Sequence, residues 1–306
     1  MSLINRLYEI GARKAAPAPP GSTTLAAASH VFFAVFTRYG DTLIDIEVIR
    51  ELLEKHPHIK GLVFTPPQMV PYFRELLPMT RVIPLKKRNP VSITRGLIAL
   101  GNKRFDIGYN PWSQGHESCY FISRCKHFSC FKTHPLPEIK ESNLYDRIRL
   151  YMSLPSRQWK LKTFTLANEY QQILLCPQTT NPDKDLDVDL LKYTAETLKE
   201  RYPNATMTIA AMDTSFFIDG YDSYQFKKNA SSSQRFIDLM KASDLVICAD
   251  SAPMHLATIL DKDNIAFFFS TRPEVVMNSG ARSIVLELDK SQKEDCRNRI
   301  SQTLSA

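Results

Sequence analysis

Apolar residues along this chain fall into short runs of strand length, separated by stretches with helical period, and the alternation comes in two blocks. In the first block Val31–Phe36 reads as a buried strand and Thr42–Lys55 as an amphipathic helix. Gly61–Thr65 is a second strand, Val70–Leu77 a helix, Arg81–Pro84 a short strand, Val91–Leu100 a helix and Phe105–Tyr109 a further strand. The pattern blurs between about Gly115 and Tyr170. It restarts with strand Gln172–Cys176, helix Asp187–Arg201, strand Ala205–Ala210, helix Ser233–Lys241, strand Leu245–Cys248, helix Pro253–Leu260 and strand Asn264–Phe269. A last helix is predicted over Lys290–Thr303. Continuous apolar strands alternating with helices predict α/β architecture with parallel sheets covered on both faces. Two such blocks predict two facing Rossmann-like domains with the boundary near 155–170. The reading divides the chain into an N-terminal helix (Ser2–Ala12) with a Pro/Ala linker in residues 1–30, a first domain over 31–160 and a second over 161–306.

In such sheets ligands sit beyond the carboxyl ends of the strands, where helix N-termini expose unpaired N–H groups. Three strand-to-helix junctions are therefore informative. The first is Thr37-Arg38-Tyr39-Gly40-Asp41, in which Gly40 allows a sharp turn and Asp41 is either a helix N-cap or a general base. The second runs from Cys176 to Lys184 and gathers Gln178, Thr179, Thr180 and Asn181 with one lysine. That mixture suits a phosphate, although ordinary polar turns share it. The third is Ala249-Asp250-Ser251-Ala252-Pro253-Met254-His255, where Pro in the first helical turn leaves the helix start open to an anion. The competing reading there makes Asp250 or Ser251 a cap and His255 a core histidine.

Charge sharpens this picture. Residues 1–150 hold 21 Lys and Arg against 12 Asp and Glu, whereas the remainder holds 18 against 20. The excess predicts an anionic partner for the first domain. Nucleic acid, a membrane surface and a phosphorylated substrate all satisfy charge alone, but no nucleic-acid-binding motif is present. The longest apolar runs are strand-sized, and Met1–Lys14 lacks the apolar core of a secretory signal, so the expected location is the cytoplasm. The six cysteines are expected to be reduced, and Cys119, Cys125 and Cys130 with His116, His127 and His134 lack paired metal-ligand spacing.

Taken together, the segment Arg38-Tyr39-Gly40-Asp41, the segment Asp244–Ala257 with its Asp-Ser-Ala-Pro-Met-His-Leu-Ala core, and the later Ser270-Thr271-Arg272-Pro273 resemble glycosyltransferase family 9, the bacterial ADP-heptose:lipopolysaccharide heptosyltransferases. The resemblance runs from about residue 30 to the end. It implies a GT-B fold and an inverting, metal-independent transfer of a heptose, or a similar sugar, from ADP-heptose to a lipopolysaccharide inner-core or lipid A-linked acceptor. No cofactor beyond the donor substrate is implied. Matched position by position, Asp41 is the family's catalytic base and Lys184 the lysine that meets the donor diphosphate. Asp250, Ser251 and His255 match the loop and helix start that hold sugar and phosphates, with Thr179, Thr180 and Thr271 as neighbouring donors. The sequence departs from the family pattern at Ala252, where Gly is common, at Glu47, where Pro is frequent, and at Asp185-Leu186 after the lysine.

The basic excess then has a candidate partner. Arg38, and Lys86, Lys87 and Arg88 with Arg81 and Arg95 nearby, are positioned to meet phosphates or carboxylates of the acceptor, or form a solvated surface run. Trp112 is a candidate for stacking on a sugar, with His116 and Glu117 binding hydroxyls. The amphipathic start Leu3-Ile4-Leu7-Ile10 with Arg6, Arg13 and Lys14 either touches the cytoplasmic face of the inner membrane or packs on its own domain. A dinucleotide-dependent oxidoreductase is disfavoured because no Gly-x-Gly-x-x-Gly turn follows an early strand. A catalytically silent relative that binds lipopolysaccharide or a protein partner is the remaining alternative, and Ala252 is its main support.

Overall fold

The computed structural model describes residues 21–86, 89–101, 105–110, 116–130 and 143–305. The chain forms two compact units, Met1–Arg157 and Gln158–Ala306. The helix and linker expected before Gly21 lie outside the described residues. From Gly21 on, a short helix Ser22–Ala26 follows, with Leu25 and Ala28 buried.

The first unit is built on a parallel sheet in the order β3-β2-β1-β4-β5. Its strands are β1 (His30–Ala34), β2 (Lys60–Thr65), β3 (Arg81–Pro84), β4 (Ile107–Asn110) and β5 (His127–Cys130). β1 is central because its apolar run is buried on both sides. Phe32 contacts Phe64 edge-on at a ring distance of 4.8 Å, and Phe64 meets Phe121 of helix His116–Ile122 at 5.2 Å. Two glycines allow this density. A Cβ on Gly108 in β4 would stand 2.7 Å from the Cys125 sulfur, and one on Gly96 in helix Pro90–Leu100 would stand 2.9 Å from Leu85. Cys119 and Cys125 thus belong to the core beside Phe121 and Ile122. β5 escaped the sequence reading because it is an edge strand with mixed polarity (His-Phe-Ser-Cys) inside the segment where periodicity fades.

Helix Tyr39–Lys55 begins three residues earlier than the apolar period predicts, and helix Leu144–Tyr151 packs beside it. A buried ion network joins the two. The Arg149 guanidinium, with a side chain only 1% exposed, donates to Glu51 Oε2 at 2.8 Å and to Asp146 Oδ1 at 3.0 Å. Arg157 and Lys55 both reach Glu51 Oε1, at 2.9 and 3.0 Å. Burial pushes the Glu51 carboxyl up, but the hydrogen bonds from Arg149 and Lys55 and the nearby Arg157 outweigh it, so the group titrates below the usual range.

The second unit has a parallel sheet in the order β11-β10-β9-β6-β7-β8. Its strands are β6 (Gln172–Cys176), β7 (Thr206–Ala211), β8 (Asp222–Gln225), β9 (Leu245–Ala249), β10 (Asp263–Phe268) and β11 (Ser283–Glu287). Counted from its own first strand, the order is the 3-2-1-4-5-6 arrangement of dinucleotide-binding domains. The expected fold class is borne out: α/β, all-parallel, in two Rossmann-like units. β8 and β11, both edge strands, were not anticipated. β8 (Asp-Ser-Tyr-Gln) has no apolar run to reveal it, because an edge strand beside solvent needs none. Helix Val188–Arg201 starts where expected, since Asp187 accepts the Leu190 N–H at 2.9 Å as its N-cap. Helix Lys293–Ser305 ends the chain, and among the described residues no helix is long and apolar enough to cross a membrane.

Candidate active site

In the second sheet β6 and β9 lie side by side at the centre, and the chain leaves them towards opposite edges, to β7 and to β10. Helices connecting these pairs fall on opposite faces, so the loops after β6 and β9 flank a crevice. The β6 loop is tightly held. Leu186 N–H closes it onto the Pro177 carbonyl at 2.8 Å, and the Leu186 side chain is buried in the core. Thr179 N–H donates to Asp185 Oδ1 at 2.6 Å. The Thr179 hydroxyl donates to the Asn181 carbonyl at 2.6 Å and accepts the Asn181 N–H at 2.9 Å. Gln178 Oε1 accepts the N–H groups of Met212 and Asp213 at 2.7 and 2.9 Å, tying the loop to the end of β7. The departure Asp185-Leu186 noted in the sequence therefore has a local explanation: one residue braces the loop and the other anchors it.

A short 3₁₀ turn, Pro182–Lys184, then delivers the lysine to the β9 loop. Lys184 Nζ lies 2.6 Å from Asp250 Oδ2, and the lysine side chain remains 27% exposed while the aspartate is 6% exposed. An ammonium has three donors, so two remain for a ligand. His255 is buried one turn into helix Ala252–Ile259. Burial pushes its imidazole pKa down to about 4, with the Asp250 charge opposing and the Lys184 charge assisting, so the ring is neutral near pH 7. Lys184, Asp250 and His255 are thus one electrostatic cluster.

Ser251 is the N-cap residue of helix Ala252–Ile259, yet its side chain makes no capping bond, and Pro253 occupies the first turn. The Ser251 hydroxyl instead donates to the Ala249 carbonyl at 3.3 Å. The helix start thus lacks the side-chain cap that the competing reading assigned to Asp250 or Ser251. Ala252 takes an ordinary helical conformation. Among the described residues only Ser153 and Asp261 are non-glycines with positive φ, so no backbone requirement for Gly exists at 252. Thr180 is exposed on the loop, and Thr271 follows β10, the neighbour of β9, half-buried. Sequence reasoning missed Lys290, whose Nζ donates to the Pro182 carbonyl at 3.1 Å and lies 4.7 Å over the Phe269 ring. It follows the unforeseen strand β11, so no local signal marked it.

In the first sheet the corresponding switch lies between β1 and β4. The loop after β4, with Trp112, lies outside the described residues, as do Lys87 and Arg88. His116 and Glu117 open helix His116–Ile122, and their side chains also lie outside the description. What the structure describes is the β1 loop. Arg38, not Asp41, is the N-cap residue, in extended conformation and exposed. Asp41 stands three residues further along, in the first turn, and takes a hydrogen bond from the Arg38 backbone N–H. This is the reach-back half of a capping box rather than a cap. Gly40 is not among the residues with positive φ, so the turn does not use the freedom anticipated for it. Burial raises the Asp41 pKa, against the lowering effects of the Arg38 guanidinium and that backbone bond. Thr37 and Thr42 hydroxyls, 2.8 Å apart, fix the loop beside it. Lys86 is exposed after β3, its N–H bonded to Ser92 Oγ at 2.8 Å.

Residues 232–304 match the family model described as Glycosyltransferase family 9 (heptosyltransferase), which bears out the resemblance carried by the Asp250–His255 segment. No curated protein matches the chain. Among solved structures, the E. coli ADP-heptose LPS heptosyltransferase II is 12% identical with a TM-score of 0.64, over 90% of this chain and 100% of that one. The E. coli heptosyltransferase WaaC with ADP is 14% identical with a TM-score of 0.60, over 89% and 99%. A family 9 glycosyltransferase from Veillonella parvula is 13% identical with a TM-score of 0.63, over 89% of each chain. At such identities these likenesses show the fold.

Proposed function

We propose that this protein is an inverting glycosyltransferase that moves a heptose, or a similar sugar, from a nucleotide diphosphate donor to a lipopolysaccharide inner-core acceptor without a metal ion. The observation that carries the reading is the Lys184–Asp250–His255 cluster beside a helix start without a side-chain cap, at the switch point of the second sheet. That combination suits a leaving diphosphate, whose negative charge grows as the glycosidic bond breaks. Lys184, oriented by Asp250, supplies a point charge with two spare donors. The N–H groups at the start of helix Ala252–Ile259 supply fixed dipoles, and neutral His255 supplies a hydrogen-bond partner rather than a second charge. Thr180, Ser251 and Thr271 are the neighbouring hydroxyls for the donor. Thr179 serves the same region by shaping the loop, because its hydroxyl is engaged with Asn181.

On the acceptor side, Asp41 is the base that removes the proton from the attacking hydroxyl. Its raised pKa makes it a better proton acceptor than an ordinary carboxylate. Arg38, Lys86, Lys87, Arg88, Trp112, His116 and Glu117 form the proposed acceptor set. The nearby Arg38 charge limits how far the Asp41 pKa rises and is suited to an acceptor phosphate.

Calorimetric titration with ADP, UDP and GDP, with and without EDTA, tests the donor half. Selective ADP binding that survives EDTA and weakens in Lys184→Ala is the expected result. Binding of none of the three nucleotides would overturn the assignment.

A further inference from the structure

Residues 76–105 contain seven Lys and Arg and no Asp or Glu, so this stretch alone carries as much net charge as the whole chain, +7. Its described part comprises β3, the edge strand of the first sheet, and helix Pro90–Leu100 packed beside it. The helix is unusual in how little of itself it buries. Gly96 and Leu100 are its only buried residues, and Gly96 lets it lie close against Leu85 and Phe64. The outer face carries Val91, Arg95 and Ile98, spaced i, i+4, i+7 and therefore in one stripe. Val91 is 62% exposed and Ile98 73%, and Met79, just before β3, is 94% exposed. These are three of the five large apolar side chains that the described residues leave open. Arg81 and Arg95 line one groove with Ile83 and Ile98, of about 470 Å³. Among the described residues, none of Arg81, Lys86 and Arg95 is held in an ion pair.

We infer that the outer face of helix Pro90–Leu100 and the adjoining end of β3 form a docking surface for an anionic phospholipid bilayer. The helix lies flat on the bilayer with Val91 and Ile98 entering the acyl boundary and the cations meeting lipid phosphates. Its eleven residues span about 16 Å and set Arg95 between the exposed aliphatic side chains Val91 and Ile98, with Arg81 on the adjoining strand. Charge complementarity selects this occupant. A second copy of the same face would bring two strongly positive surfaces together. Free phosphate or a soluble polyanion would satisfy the cations but leave the aliphatic stripe in water. Single-stranded nucleic acid is bound through stacked aromatics, and residues 76–104 contain no Phe, Tyr, Trp or His. The inference is independent of the donor reading, because it uses none of the nucleotide-site residues.

The test is sedimentation of the full chain with vesicles of phosphatidylcholine alone and with about 30% phosphatidylglycerol. Each cation at an anionic surface is worth about fivefold in partitioning, so Arg81 and Arg95 alone predict roughly a twenty-five-fold preference for the anionic vesicles, weakening with salt. Ile98→Asp with Val91→Asp should lower binding to anionic vesicles at least about tenfold, and Arg81→Gln with Arg95→Gln should do so comparably. All four positions are solvent-facing, and unchanged ADP titration and circular dichroism would show that the variants stay folded. Equal binding to both vesicle types, or full binding by the aspartate variant, would overturn the inference. So would a dimer abolished by Ile98→Asp without vesicle binding, or tight binding to poly(U) in its place.

Discussion

The first unit keeps its buried charges between two helices, where Arg149 meets Glu51 and Asp146, and presents one carboxylate, Asp41, at the start of one of those helices. The second unit brings its polar cluster to the carboxyl ends of the strands themselves, where the part-exposed Lys184, the buried Asp250 and the neutral His255 meet. In both sheets the strand order reverses between two central parallel strands, so the same topology offers a crevice in each. The difference teaches how a shared fold divides labour. If Asp41 is the base proposed above, its helix must be fixed in place, and an ion clamp three turns away does that. If the second unit holds the donor diphosphate as proposed, it needs charge at the crevice, with loops braced by side-chain to backbone bonds.

If the division holds, substitutions in the two units should fail in different ways. The largest expected effect is on chemistry. Asp41→Asn keeps the size and the hydrogen bond of the side chain but cannot accept a proton. It should lower the turnover number for sugar transfer by about a hundredfold to ten-thousandfold while leaving ADP affinity unchanged. A variant that lost ADP binding instead would place Asp41 on the donor side. The acid limb of the wild-type rate profile should lie above the usual carboxylate value of 3.8, because burial raises this group.

Next comes the clamp. Arg149→Ala leaves Glu51 and Asp146 without their buried partner and should cost about 3–5 kcal/mol in the unfolding of the first unit, followed by urea titration. Transfer should fall with it while ADP affinity stays near that of the parent protein. A stability change near zero would mean that the clamp is incidental and that apolar packing alone fixes helix Tyr39–Lys55.

Smaller again, and confined to the other unit, is Lys184→Ala. Losing one charged hydrogen bond to the diphosphate should weaken ADP binding by about ten- to a hundredfold, with little change in the stability of the first unit. Equal weakening by Asp41→Asn would dissolve the comparison.

How much of this was legible in the sequence follows from which forces write themselves locally. The central strands and the long helices were readable because burial on both faces demands unbroken apolar runs, as in Val31–Phe36 and Leu245–Cys248. The edge strands β5, β8 and β11 were not, since strands at a rim are specified by pairing with a neighbour rather than by their own polarity. The Asp250–His255 segment and Lys184 stood out because polar residues at strand ends are conspicuous. That Lys184 reaches Asp250 over 66 positions was not visible, and neither were the braces Gln178 and Asp185 or the contact of Lys290 with the loop. Asp41 was found by its position after β1, but whether it capped the helix depended on where the helix begins, three residues before the apolar period. The backbone decided that, by making Arg38 the N-cap.

The smallest predicted effect is also the most specific to the second unit. His255 is held neutral mainly by burial, with its pKa lowered to about 4 from an ordinary 6.5. The unfolded chain therefore binds more protons than the folded one between those values, so folding stability should be complete above about pH 6.5 and decline as pH falls towards 4. His255→Gln, which keeps a polar side chain that does not titrate, should flatten that decline in thermal unfolding measured across the window. Neighbouring charges set the direction of the finer shifts. Lys184→Met removes a cation that lowers the imidazole pKa and should raise its midpoint, whereas Asp250→Asn removes the opposing charge and should lower it further. Proton chemical shifts of the His255 ring read both changes directly. An imidazole that ignored both substitutions would mean that the three residues are neighbours without being one cluster, and the second unit's claim to a built anion site would then rest on the helix start alone.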